Sequence, residues 1–174
     1  MDKTHIVYII GFMGCGKTTA GRKLASMLGW SFTDLDKTIE ANTGETIPEI
    51  FSQKGENYFR EVEAGILKSL KHHTNTVIST GGGTPCYGDN MDYMLETGLT
   101  IYLKLTPAQL KSRLLESTGK RPLIKDLSEE ELLGFIEEKL AAREKWYNRA
   151  EITVKGFNHD IHLLHSHVMS RLHI

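Results

Sequence analysis

The sequence predicts an α/β protein in three layers, a parallel sheet with helices on both sides. Two observations predict it. Short apolar runs alternate with stretches of helical periodicity along the whole chain, which is the pattern of strands joined by crossover helices. The first of these runs passes straight into a glycine-rich turn that opens a helix, and in such folds ligands gather at the carboxyl ends of the strands. The 174 residues are enough for one domain with a substantial core and too few for two ordinary ones. No repeat, low-complexity tract or proline-rich linker divides them, so residues 1–174 read as a single domain.

Strands are expected at Ile6–Ile10, Ser31–Thr33, Val77–Thr80, Leu99–Leu105 and Glu151–Val154. The first and third are rich in β-branched residues, as strands buried on both faces tend to be. Helices are expected between them. Lys17–Leu28 carries Ala20, Leu24, Ala25 and Leu28 on one stripe, the signature of a helix packed on one face. Glu56–Leu70 repeats this with Phe59, Val62, Ile66, Leu67 and Leu70. Ser128–Trp146 opens with Ser128 and, three residues on, Glu131, a capping box. Near the end, Ile161, Leu164, Val168 and Leu172 form a core stripe. They predict a terminal amphipathic helix with a histidine-rich exposed face. Of His159, His162, His165, His167 and His173, no two are four apart, so the helical zinc-binding pair is missing. Trp30 and Trp146 read as partly buried core.

Composition excludes several classes. With 40% hydrophobic and 25% charged residues the chain is ordinary for a water-soluble domain. A formal net charge of -1 gives no surface built for nucleic acid or an anionic membrane. No apolar run approaches the roughly eighteen residues of a membrane helix or resembles a signal peptide, so a cytoplasmic location is expected. A chain this small without an exposed apolar stripe is expected to be a monomer. Cys15 and Cys86 form no C-x-x-C pair and read as reduced thiols.

After the first strand comes Gly11-Phe12-Met13-Gly14-Cys15-Gly16-Lys17-Thr18, followed at once by a helix. This is the G-x-x-x-x-G-K-[ST] loop in its required strand–helix context. Glycines let successive backbone N–H groups turn toward a polyphosphate, and the helix start adds unpaired donors and a positive dipole end. Gly14, Cys15, Gly16, Lys17, Thr18 and Thr19 are therefore the candidate ATP-binding residues. Lys17 supplies charge for the β- and γ-phosphates, and the Thr18 hydroxyl is a hard oxygen ligand suited to Mg²⁺. The loop predicts a bound nucleoside triphosphate but leaves the acceptor open.

The second strand ends in Asp34-Leu35-Asp36. Side chains two apart on extended backbone point to the same side, so both carboxylates are expected at the phosphate site. One would hold the magnesium shell; the other would accept a proton from, or orient, an attacking hydroxyl. Alone, Asp36 would read as the cap of a helix; beneath a phosphate loop the catalytic reading is the better one. The third strand runs into Gly81-Gly82-Gly83 with no acid after it. That leaves the metal to Asp34, and the three glycines allow close approach to the backbone.

Three arginines complete the set: Arg60 early in its helix, Arg143 near the end of Ser128–Trp146, and Arg121 in a glycine- and proline-punctuated stretch. The planar guanidinium matches carboxylates and phosphates bidentately. A basic segment between helices is what a closing lid looks like, and Arg121 would stabilise charge on the transferring phosphoryl group.

Taken together, the phosphate loop, Asp34-x-Asp36, Gly55-Glu56-x-x-Phe59-Arg60-x-x-Glu63, Gly81-Gly82-Gly83, Arg121-Pro122-Leu123 and Arg143-x-x-x-Tyr147 resemble the shikimate kinase family, over Gly11 to about Ala150. The resemblance implies a five-stranded parallel sheet of order 2-3-1-4-5, with a lid at about 114–126 and acceptor-binding helices at about 36–63. It implies ATP and shikimate as small-molecule partners, Mg²⁺ as cofactor, and transfer of the γ-phosphate to the 3-hydroxyl of shikimate. On that analogy Asp36 holds the reacting hydroxyl, Thr18 and Asp34 serve the metal, and Arg60 and Arg143 grip the carboxylate. Gly82 and Gly83 offer backbone N–H groups, and Lys17 and Arg121 act on the phosphates. The arginine that flanks adenine in many members falls here on Leu114, with Arg113 beside it.

Two rivals remain. A gluconate or nucleotide kinase shares the fold, but a nucleotide acceptor wants more arginine than one carboxylate's worth. A non-catalytic ATP-binding regulator would not need the acidic pair.

Overall fold

The computed structural model describes residues 5–117, 124–156 and 160–174. Five strands, β1 (Ile6–Ile10), β2 (Ser31–Asp34), β3 (Thr76–Ser79), β4 (Leu99–Lys104) and β5 (Ile152–Lys155), form one sheet in the order β2-β3-β1-β4-β5. Every neighbouring pair is parallel, so both the class and the order implied by the resemblance are observed. β1 lies at the centre, and all five of its residues are buried. A strand covered on both faces cannot alternate, and Ile-Val-Tyr-Ile-Ile does not; burial of each aliphatic side chain contributes roughly 1.5–3 kcal/mol.

Strand ends differ from expectation by a residue or two, for local reasons. β3 stops before Thr80, whose backbone N–H and hydroxyl both turn to the Ile9 carbonyl. β5 starts after Glu151, whose carboxylate accepts from the Thr100 N–H while its own N–H goes to the Thr100 hydroxyl.

The described helices are α1 (Lys17–Leu28), α2 (Leu35–Thr43), α3 (Ile47–Ser69), α4 (Asn90–Thr97), α5 (Pro107–Glu116), α6 (Glu129–Tyr147) and α7 (Ile161–Leu172). α1 has the predicted bounds and buries Ala20, Leu24 and Ala25. Gly21 lets it lie close to the sheet, because a Cβ there would come within 2.7 Å of the Phe32 ring. α6 carries the predicted Ser128–Glu131 capping box. α7 buries Leu164 and Val168 and packs against α1.

The helix expected at Glu56–Leu70 is a correction: α3 begins at Ile47, behind a Thr46–Glu49 capping box, and is broken at Gly55 (φ 86°, ψ 170°). That left-handed φ is tolerated by glycine and strained for other residues. The kink separates a short arm, docked with α2, from the long arm that carries Arg60, and the apolar periodicity restarts there. Among the described residues no helix is long and apolar enough to cross a membrane. The carboxyl ends of β1, β2 and β3 meet at one end of the sheet, and the predicted site residues that the structure describes lie at or beside it.

Candidate active site

The loop after β1 turns through three glycines of positive φ, Gly11 (148°), Gly14 (78°) and Gly16 (97°), the last being the cap of α1. Phe12 and Cys15 are buried, so their side chains anchor the loop while its backbone faces out. Lys17 reaches back across it, donating to the carbonyls of Gly11 (2.8 Å) and Phe12 (3.0 Å). Over this loop lies a cleft of about 500 Å³, lined by Gly14, Gly16 and Lys17–Thr19, by Asp34 and Asp36, by the end of β3 with Gly81 and Gly82, and by Arg113.

Asp34 closes β2 and caps α2 at the same time. Its Oδ1 accepts from the Lys37 N–H (3.2 Å) and its Oδ2 from the Thr18 hydroxyl (3.1 Å). A hydroxyl and a carboxylate oxygen side by side, next to a phosphate loop, are a hard donor set that fits Mg²⁺. The acidic pair differs from expectation in one respect: Asp36 is not on extended backbone but in the first turn of α2. The cap belongs to Asp34, not Asp36. Both side chains still line the one cleft, because the chain changes from strand to helix between them.

Burial pushes the Asp36 carboxyl up to about 6, with Asp34 adding repulsion; Lys17 opposes the shift, and Glu63 and Glu40 reinforce it. A carboxylate poised there exchanges a proton readily at neutral pH.

None of Gly81, Gly82 and Gly83 has a positive φ; what matters is the space left by their absent side chains. A Cβ on Gly81 would lie 3.0 Å from Asp36 Oδ1, 3.1 Å from Thr84 Oγ1 and 3.2 Å from Glu63 Oε2. On Gly83 it would lie 2.8 Å from Arg60 Cζ, and on Gly82 3.3 Å from Arg143 Nη1. Two guanidinium groups, from α3 and α6, thus rest on neighbouring glycines beside Asp36.

Each arginine is held from behind. Arg60 pairs with the buried Glu63 (2.8 Å) and with Glu56 (3.5 Å). Arg143 stands over the Phe12 ring, 5.7 Å from its centroid. Tyr147, one turn further along α6, donates its hydroxyl to the Gly82 carbonyl and packs on Tyr102. That contact fixes α6, and so Arg143, against the glycine turn. Two oriented guanidinium forks side by side suit a carboxylate.

Of the predicted residues, Gly14, Gly16, Lys17, Thr18, Thr19, Asp34, Asp36 and Gly82 line the cleft. Cys15 lies beneath it, its Sγ 3.9 Å from Lys17 Nζ. Arg60, Gly83 and Arg143 adjoin it. Arg121 and the middle of the predicted lid, 118–123, lie outside the described residues; positions 114–116 belong to α5.

Sequence reasoning named Arg113 only as the neighbour of Leu114 and gave it no place in the site. Leu114 is fully buried and packs on Gly14, while Arg113 Nε donates to the Gly14 carbonyl (2.6 Å) and the side chain faces the cleft. Successive helical residues point about 100° apart. The Leu110–Leu114 pair and the Thr106–Gln109 capping box of α5 were the available signal that 114 belongs to the core. Glu63 and Tyr147 were part of the quoted motifs, but nothing local told what they hold.

Comparison with known proteins gives one answer. The family model described as shikimate kinase matches residues 13–172. A shikimate kinase of Parabacteroides distasonis is 44% identical over 147 residues, covering 84% of this chain and 85% of that one. The shikimate kinase of Azobacteroides pseudotrichonymphae is 46% identical, with 84% and 86% covered. Among solved structures, shikimate kinase from Bacteroides thetaiotaomicron superposes with a TM-score of 0.91 at 34% identity, covering 99% of this chain and 100% of that one. Shikimate kinase from Acinetobacter baumannii in complex with shikimate does so with 0.83 at 31%, covering 98% and 94%. A match that spans nearly the whole chain, in sequence and in fold alike, leaves one assignment: the chain belongs to the shikimate kinase family.

Proposed function

We propose that the chain binds ATP with Mg²⁺ across the loop Gly11–Thr18 and transfers its γ-phosphate to the 3-hydroxyl of shikimate, giving shikimate 3-phosphate and ADP. The observation that carries this reading is the position of Asp36. It sits between Lys17 on the phosphate side and the glycine turn that bears the two arginines, so a hydroxyl bound there meets base and phosphate together.

The geometry supports the following division of labour. Backbone N–H groups of Gly14–Thr19 and the start of α1 bind the phosphates, and Lys17 leaves its loop carbonyls to neutralise the β- and γ-oxygens. Thr18 and Asp34 hold the metal, which when bound neutralises phosphate charge. Arg60 and Arg143 grip the shikimate carboxylate and orient the ring, with the N–H groups of Gly82 and Gly83 toward its substituents. Asp36 accepts the 3-hydroxyl proton as that oxygen attacks the γ-phosphorus, and the bond to the ADP oxygen breaks. Arg113 lies at the nucleotide end, where it takes the place beside the purine that Leu114, being buried, does not. Arg121 closes over the phosphates. The protein acts as a monomer in the cytoplasm.

ADP release, measured with ATP, Mg²⁺ and a panel of shikimate, gluconate and nucleoside monophosphates, tests the reading. Release should depend on shikimate alone. Turnover with gluconate or a nucleotide in its place, or none with shikimate, overturns it.

A further inference from the structure

Behind the acceptor side runs a chain of buried polar groups that reaches Arg60 from the core. Thr84, fully buried, opens the 3-10 turn after the glycine triplet. Its hydroxyl donates to Glu63 Oε2 (2.8 Å), while the other oxygen of Glu63 accepts from Arg60 Nη1 (2.8 Å). The carbonyl of Thr84 is held in turn by the side-chain amide of Asn90 (2.9 Å), the buried first residue of α4. Glu63 is 1% exposed and Thr84 0%, so solvent cannot replace a lost donor.

Arg60 and Glu63 are three apart on one helix, and that pairing alone leaves the carboxylate free to pivot about its last torsions. The Thr84 hydroxyl removes that freedom. It engages the second oxygen beside the place where Gly81 has no side chain. Through Glu63 it fixes the direction of the Arg60 fork.

We infer that Thr84 is a positioning residue of the acceptor site, whose hydroxyl, acting through Glu63, sets the grip of Arg60 on the substrate carboxylate. This rests on the assignment of Arg60 to the acceptor. The threonine methyl only fills core space, so the hydroxyl can be removed at nearly constant volume.

The test compares Thr84→Val, Thr84→Ala and Thr84→Ser with the parent in steady-state assays. Loss of a buried hydrogen bond to a charged partner predicts that Val and Ala each raise the KM for shikimate about tenfold, with the KM for ATP changed less than about twofold. Ser, which keeps the hydroxyl, should restore both parent values. A purely structural role would affect ATP and shikimate alike. The inference is overturned if Val leaves the shikimate KM unmoved, or if Ser is as impaired as Val. Should Val not fold, the Ala and Ser pair decides by the same criteria. A parent chain with no shikimate-dependent ADP release would overturn the functional reading and this inference with it; a normal parent with a flat Thr84 series overturns only this inference.

Discussion

The donor side and the acceptor side of the cleft are built by different means. The donor side is one unbroken stretch, Gly11 to Thr19, whose shape follows from three left-handed glycines and a helix start. The acceptor side has no such stretch. Asp36 comes from α2, Arg60 and Glu63 from α3, the glycines and Thr84 from the segment after β3, and Arg143 and Tyr147 from α6. On the proposed reading, backbone groups bind phosphate on the one side, and side chains held by other side chains present the organic acceptor on the other. The difference teaches where each side is vulnerable. The donor side depends on local backbone shape, the acceptor side on packing between distant elements.

The sharpest way to break this comparison is Asp36→Asn, which touches the boundary between the sides. We expect kcat to fall by about 10²–10⁴, with ATP affinity nearly unchanged; a near-parental rate would remove Asp36 from the chemistry. The same variant should be more stable. The folded carboxyl titrates at about 6 against an ordinary value of 3.8, so above pH 6 its charge is carried at a cost. That cost fades as pH falls through the window from about 6 to 3.8, where the folded state binds the proton first. Thermal denaturation should show the Asp36→Asn variant gaining about 1–3 kcal/mol at pH 8 and almost nothing below pH 4. A gain that does not depend on pH would mean the carboxylate is not the source.

Next in size are Arg60→Ala and Arg143→Ala. Each should raise the KM for shikimate about 10- to 100-fold while leaving the KM for ATP within a fewfold. A larger effect on ATP would reverse the two sides. The smallest expected effect is Gly83→Ala. Its methyl would press on the Arg60 guanidinium, the far end of a long side chain that must then shift on its Glu63 partner, so the fold should survive. Thermal stability should change by less than about 0.5 kcal/mol, while the shikimate KM rises about threefold. Loss of stability without a change in KM would mean the glycine serves the backbone rather than the arginine.

How much was legible in the sequence follows the same division. The strand–helix alternation, the bounds of β1 and α1, and the Ser128–Glu131 box were all readable, since each depends on neighbours within a few residues. The phosphate loop was readable for the same reason. The Gly55 kink was not, because the restart of apolar periodicity hid the shorter arm before it. Asp36 was placed in the right cleft by the wrong geometry, since the strand yields to helix at Leu35, two residues earlier than an extended Asp34–Asp36 requires. Leu114 and Arg113 differ by one step along α5, which decides between core and cleft.

By itself, then, the sequence determined a parallel α/β sheet with a phosphate loop at the end of its first strand, because those depend on local periodicity and backbone conformation. Only the tertiary structure decided that Arg60 and Arg143 rest on adjacent glycines, that Tyr147 ties α6 to that turn, and that Thr84, Glu63 and Asp36 crowd the space Gly81 leaves open. These contacts join residues far apart in the chain. Sheet order and helix packing bring them together, and no local pattern encodes either.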